Sequence, residues 1–463
     1  MSSLIGLVGT MGSALAAQQA ALDVTGQNVA NVNTPGYVRQ DAVLEANPVT
    51  SGVGGGVTVT GIQRAFNNFT YGQVLVQHGL KGAADARSQA LSEAQATIAP
   101  QGGGSVGDSL TQFFGSLQAL TASPADPSAR SAVLEQAGQV AQAFSTTASG
   151  LTDQQSSLFT QAQGTASDIN ADLTQIAQLN TQIAQSTAGG DQAPDLRDQR
   201  DALATQVADG VGAQVVQDPS GAVTLFSGGA VLVSGGQAST LNVGLDNTGA
   251  IKVELSRPNG APVDVTQSMT GGTLGGIREA RDVDIAQSKT QLDQLAYNFS
   301  NAVNTVHASG YGLDGGTGRP LFVPPTSVAG AAAAMAVDPS VAGQPNLIAA
   351  AQSASDVPGG NDTAVALAQL ATQPLPGGGT PSTQFAALTA QIGNAASAAN
   401  SDSATRADTV TQAENLNSSA SGVSLEEESV NLTKFQQAFQ AATRVLQTAD
   451  SLLDDFMTTM STA

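Results

Sequence analysis

The sequence predicts a mainly α-helical protein with a small inserted β domain, its first and last helices pairing as a coiled coil. Apolar residues recur in steps of four and three at both chain ends, and a longer apolar stripe runs from Val133 to Ile183. Between Val211 and Thr266 the pattern changes to short strands separated by glycine and asparagine turns. At roughly 150 residues per domain, a chain of 463 residues has room for about three domains.

The first helix is expected from Leu4 to Val29, with Leu4, Val8, Met11, Leu15, Gln18, Leu22, Thr25 and Val29 on one face. Asn31, Asn33, Thr34, Pro35, Gly36 and Tyr37 follow as a turn. Pro35 fixes its own φ and holds Thr34 extended, and Gly36 supplies a conformation other residues avoid, so the chain must leave the helix sharply. Extended segments over Val38–Ala46 and Gly56–Ile62 read as short strands or a hairpin. Helices are expected over Lys81–Thr97 and Val106–Leu120, separated by Pro100 to Gly104. A long helix starts near Pro127, where proline is tolerated, and its stripe ends at Gly189-Gly190.

Pro194–Val207 reads as a helix whose Asp195, Arg197, Asp198, Arg200 and Asp201 alternate in charge on an exposed side. Strands are expected over Val223–Phe226, Val231–Val233, Leu241–Val243 and Ile251–Leu255, then a helix over Ile277–His307. Tyr311–Pro325 reads as a glycine and proline loop, and Val328–Pro381 as low in complexity. Helix returns over Thr383–Ala413 and is interrupted near Asn417 to Gly422. The last helix carries Leu432, Phe435, Phe439, Ala442, Leu446, Ala449, Leu453, Phe456 and Met460 on one face; from Leu425 it spans about 54 Å at ~1.5 Å per residue. Neither terminal helix can bury its seam alone. The expected organisation is a terminal coiled-coil assembly domain (1–80 with 414–463), a helical domain (81–210, 271–325 and 383–413), an inserted β domain (211–270) and a variable segment (326–382).

Composition narrows the function. No cysteine and only two histidines, His78 and His307, exclude disulfides and thiolate chemistry and leave almost nothing for imidazole chemistry. No catalytic constellation, cofactor fingerprint or metal set is found, so the chain is read as no enzyme, with no cofactor. A net charge of -21 argues against nucleic acid as a partner, and uncharged runs such as Gly330–Val337 are too short for a membrane span. No Lys or Arg precedes Arg39, so any secretion is expected without a cleaved signal peptide. Glu426, Glu427 and Glu428 suit the first turn of the last helix, with Ser424 as its N-cap. His307 reads as a helix-end residue stabilising terminal carbonyls, while His78 shows no partner pattern.

The run from Gly26 to Arg39, centred on Asn31-Val32-Asn33-Thr34-Pro35-Gly36-Tyr37, resembles the amino-terminal signature of the rod and hook family of bacterial flagellar axial proteins. Ala193–Leu203, Ile277–Phe322 and Ser421–Asp450 are similar to the hook-filament junction branch of that family. The resemblance implies a non-enzymatic structural subunit, exported unfolded and extracellular in the flagellum, polymerising with itself in a ring or helical shell. It implies as partners the flagellar hook protein, a second hook-filament junction protein and an export chaperone on the C-terminal helix. A rod or hook subunit remains an alternative within the family, and an extracellular adhesin or enzyme an alternative outside it.

Overall fold

The computed structural model describes residues 2–34, 36–48, 55–217, 221–258 and 260–462. Its elements follow the chain as α1 (Ser2–Ala30), β1 (Gln40–Ala46), β2 (Val57–Arg64), α2 (Asn68–Ile98), α3 (Val106–Ala122), α4 (Pro127–Ala188) and α5 (Pro194–Val211). Strands β3 (Gln214–Gln217), β4 (Val223–Ser227), β5 (Ala230–Ser234), β6 (Gln237–Ala238), β7 (Thr240–Leu245), β8 (Ile251–Ser256) and β9 (Val263–Asp264) come next. The chain closes with α6 (Gly272–Glu279), a π-helical stretch (Ala280–Ile285), α7 (Ala286–Ser309), α8 (Asp362–Gln369), α9 (Pro381–Ser421) and α10 (Leu425–Thr462). The mainly helical class with a small β region is what the periodicity predicts.

The spine is α4, whose Val133, Val140, Phe144, Leu151, Leu173 and Ile176 are fully buried. Around its first half, Phe113, Phe114, Phe144, Phe299 and Phe322 form an aromatic cluster in which the Phe299 ring lies 5.7 to 6.4 Å from the other four. Along its second half, α4 docks two antiparallel sheets, β3-β4-β5-β6 and β7-β8-β9. Two asparagines make those joints by imitating a neighbouring strand. Asn170 donates to Leu241 O (2.8 Å) and accepts from Leu241 N–H (2.7 Å), and Asn180 does the same with Val223 (2.9 and 3.2 Å).

Helix α2 starts at Asn68, well before the expected Lys81, because Asn67 caps it by accepting from the Phe69 and Thr70 N–H groups. Glycines obscured this helix in the sequence. At Gly82 a Cβ would sit 2.2 Å from Asp209 O, and at Gly276 2.1 Å from Ala83 O, so their absence lets α2, α5 and α6 cross in close contact. Helix α9 likewise runs unbroken through the expected interruption to Ser421, leaving only Gly422 to Ser424 before α10.

The alanine-rich 326–382 region lies against the body. Asp293 accepts from the Gly330 and Ala332 N–H groups, both at 2.9 Å, and Ala332, Val341, Ile348, Ala350, Ala364 and Leu367 are buried. His307 has a different job from the one expected of a helix-end cation. Its Nδ1–H donates to Arg319 O (2.8 Å) and its Nε2 accepts from Ala349 N–H (3.0 Å), so the ring is neutral, and burial pushes its pKa down. His78, without a recognisable partner in the sequence, bridges Asp209 of α5 at 3.0 Å and Glu414 of α9 at 3.1 Å.

Candidate assembly interface

Helix α1 lies along α10 in antiparallel fashion: Asn28 bonds to Glu428 at one end, and Leu7 shares a shallow groove with Val445, Ala449 and Leu452 towards the other. On α10 the expected seam points at α1. Leu432, Phe435, Phe439, Leu446 and Leu453 are half-buried and Ala449 is fully buried, while Phe456 and Met460 are exposed beyond the start of α1.

On α1 the covered line lies one residue earlier than the bulky seam. Ala17, Ala21, Val24 and Asn28 are buried, as is Thr25 of the expected seam, whereas Leu4, Val8, Met11, Leu15, Gln18 and Leu22 are only half-buried and Val29 is exposed. Both α10 and the hairpin pack on α1, the hairpin with Gly56 near Thr10 and Ser13 and with Gln40 bonded to Asn28. The larger apolar row is only partly covered.

The turn folds back onto the end of α1. Thr34 N–H donates to Asn31 O (2.9 Å), Tyr37 N–H donates to Thr34 O (3.2 Å), and Gly36 takes φ 79°. Asn31 is half-buried and Asn33, Thr34 and Gly36 are exposed; Pro35 lies outside the described residues. Tyr37 returns to α1 and donates its hydroxyl to Asn28 Oδ1 at 2.9 Å. Asn28 also pairs with the backbone of Gln40, accepting from its N–H (3.0 Å) and donating to its carbonyl (2.8 Å). This one buried amide therefore sets where the β1–β2 hairpin begins.

The terminal unit of α1, the hairpin and α10 meets the body at α5. Of the charges expected on an exposed side, Asp195 is exposed and Arg197 and Asp198 are half-buried, but Arg200 and Asp201 are only 2% and 7% exposed. They turn inward because Arg64 of the hairpin inserts between Asp198 (2.6 Å) and Asp201 (2.8 Å), while Arg200 donates to Gly221 O at 2.8 Å. Tyr71 of α2 donates to Asp201 O at 2.7 Å. Burial, reinforced by Asp198, Asp195 and Glu428, pushes the Tyr37 hydroxyl up to about 12. Ser424 caps α10 with a long 3.4 Å bond from Glu427 N–H, and the Glu427 carboxylate accepts from Arg39 at 2.8 Å.

Sequence reasoning missed Asn28, Arg64 and Glu428 as interface residues. An asparagine directly before the seam residue Val29 was the available signal. Among the described residues no cluster of three or more His, Asp or Glu is arranged to hold a metal ion, and no helix is long and apolar enough to cross a membrane.

The chain matches known families along most of its length. Residues 80–322 match the model of the flagellar hook-associated protein FlgK helical domain. Residues 10–37 match that of flagella basal body rod proteins, and residues 417–460 that of the flagellar basal body rod FlgEFG protein C-terminal region. Flagellar hook-associated protein 1 of Salmonella typhimurium is 32% identical over 67% of this chain, an alignment spanning 58% of that protein. The proteins of the same name from Bacillus subtilis and Escherichia coli are 30% and 27% identical, each over 98% of this chain and over 97% and 99% of their own lengths. The solved flagellar hook junction protein FlgK from Burkholderia pseudomallei shares the fold with a TM-score of 0.63 at 18% identity, covering 74% of this chain and 99% of its own. With the FlgK model covering more than half of the residues and near full-length likeness to the Bacillus protein, the chain belongs to the FlgK family of flagellar hook-associated structural proteins.

Proposed function

We propose that this chain is a structural subunit of the bacterial flagellum, an adaptor at the hook-filament junction that polymerises in a ring or helical shell through α1 and α10. The observation that carries the reading is the half-covered apolar seam. Leu4, Val8, Met11, Leu15 and Leu22 on α1 and Leu432, Phe435, Phe439 and Leu446 on α10 are only partly covered, and Ile5, Phe456, Met457 and Met460 are exposed. Apolar rows so placed gain stability when neighbouring copies cover them. The turn at Asn31 to Tyr37 and the hairpin behind it stand at the edge of the pair, in position to touch the next subunit.

In this reading the hook protein and a second junction protein contact the two ends of the assembly, and a chaperone covers α10 before export. The chain leaves the cell unfolded. The test is deletion of Leu425–Ala463 in a flagellated host. The expected result is cells with hooks but without attached filaments; motile cells with filaments would overturn the reading. A rod or hook role predicts instead that the same deletion stops the hook itself.

A further inference from the structure

The joint between the terminal unit and the body carries more buried charge than mechanical attachment requires. Asp195, Asp198 and Asp201 project from one side of α5 at the foot of the hairpin. Gln40 Nε2 donates to Asp195 at 3.4 Å, and Val38 N–H donates to Asp198 at 3.5 Å. One guanidinium, that of Arg64, serves both Asp198 and Asp201. The match is incomplete: Arg64 Nε is buried without a hydrogen-bond partner, and Asp198 Oδ1 meets Arg64 Nη2 at 2.6 Å as an ion contact that lacks hydrogen-bond geometry.

Across the joint, Glu428 of α10 is 1% exposed, bonds to the Asn28 side chain and leaves its Oε1 unpaired. The hairpin adds Arg39 and Asp41 beside it, and α10 adds Glu427. From α5 come Arg197 and the buried Arg200, and from α2 the Tyr71 hydroxyl; Tyr37 lies among Asp198, Asp195 and Glu428. Carboxylates from three elements therefore converge where α1, α10 and the hairpin rest on α5.

We propose that Asp198 and Glu428 form a proton-operated latch, which seats the terminal unit on α5 when they are neutral and loosens it when both are ionised. Burial pushes Asp198 up to about 6, with Asp201 and Asp195 adding to the effect and Arg64 and the Val38 N–H opposing it. Burial also raises Glu428, with Asp41 and Glu427 adding and Asn28 and Arg39 opposing. The sign follows from linkage. A carboxyl whose pKa is higher in the seated form binds its proton more tightly there, so seating strengthens as pH falls through about 6 and weakens above it.

The chain has no cysteine, so paired spin labels can be placed cleanly on the full-length protein at Ala46→Cys on the hairpin and Gln175→Cys on α4. Distance distributions by pulsed electron spin resonance should be narrow at pH 5 and broadened or split at pH 8, with the midpoint near 6. Asp198→Asn and Glu428→Gln should each stay narrow at both pH values. A wild-type distribution unchanged between the two pH values would overturn the latch. So would an Asp198→Asn protein that broadens as the wild type does; if that variant does not fold, Glu428→Gln broadening to the full wild-type extent overturns it equally.

Discussion

In α4, Val133, Val140, Phe144, Leu151 and Ile176 are fully buried, whereas in α10 Leu432, Phe435, Phe439 and Leu446, at helical spacing of the same kind, stay half covered. The α4 stripe meets α3, α5, α7 and two sheets, so a single chain closes it. The α10 seam meets chiefly one element, α1. Periodicity shows that a helix has an apolar face; the number of elements packed on that face decides whether the chain completes its own core or leaves part of it for another molecule.

The largest test of this contrast truncates one aromatic in each region. Phe299→Ala removes the ring at the centre of the cluster with Phe113, Phe114, Phe144 and Phe322, a loss of about 3 to 5 kcal/mol in denaturant unfolding. Phe439→Ala, whose ring is half-buried, should cost the isolated chain about 1 kcal/mol or less yet weaken polymerisation, read by sedimentation at rising concentration. If Phe439→Ala destabilised the monomer as much as Phe299→Ala, the terminal pair would be a finished core and the contrast would fail.

A smaller effect comes from the two histidines, both of which lie outside α1 and α10. His307 is held neutral with its pKa below the ordinary 6.5, so below that pH the unfolded chain takes a proton the folded chain refuses. Its contribution is complete above pH 6.5 and is lost as pH falls through the folded value. His78 behaves oppositely. The Asp209 hydrogen bond holds its pKa up, so its contribution is present below pH 6.5 and is lost as pH rises through the higher folded value. Nuclear magnetic resonance titration of the two imidazoles should place them on opposite sides of 6.5, His307 below and His78 above.

Much of this architecture was legible because periodicity survives without knowledge of contacts. The α10 seam, the α4 stripe and the four central strands of the insert stand where alternation places them. Features set by close approach were not legible. Gly79 and Gly82 lower helix propensity yet sit inside α2 because α5 and α6 press against them. The charges of α5 read as a solvated face until Arg64, more than a hundred residues earlier in the chain, is folded against them. The α1 seam was displaced by one residue because packing selected the small residues Ala17 and Ala21 over the most apolar row. The six-residue π-helical stretch leaves no comparable trace: Arg281 and Asp282 within it bond to Gly249 O and Ile251 N–H, a requirement of the second sheet.

The smallest test concerns helix ends, where the two regions make the same device with different completeness. Ser105 begins α3 with a full capping box: its hydroxyl accepts from Asp108 N–H at 3.1 Å, and the Asp108 carboxylate accepts from Ser105 N–H at 3.2 Å. Ser424 begins α10 with a single 3.4 Å bond, and the Glu428 carboxylate beneath it turns to Asn28. A full cap in an element packed on the core contributes to global stability, so Ser105→Ala should cost about 1 kcal/mol in denaturant unfolding. A long bond on a helix whose ordering is only partly supported by its own chain contributes less, so Ser424→Ala should cost a few tenths of a kcal/mol in the monomer. Its larger mark should be faster amide exchange over the first turn of α10. That turn carries Glu427 and Glu428 into the joint with the hairpin, so a weakened cap there loosens the assembly end while the body keeps its full stability.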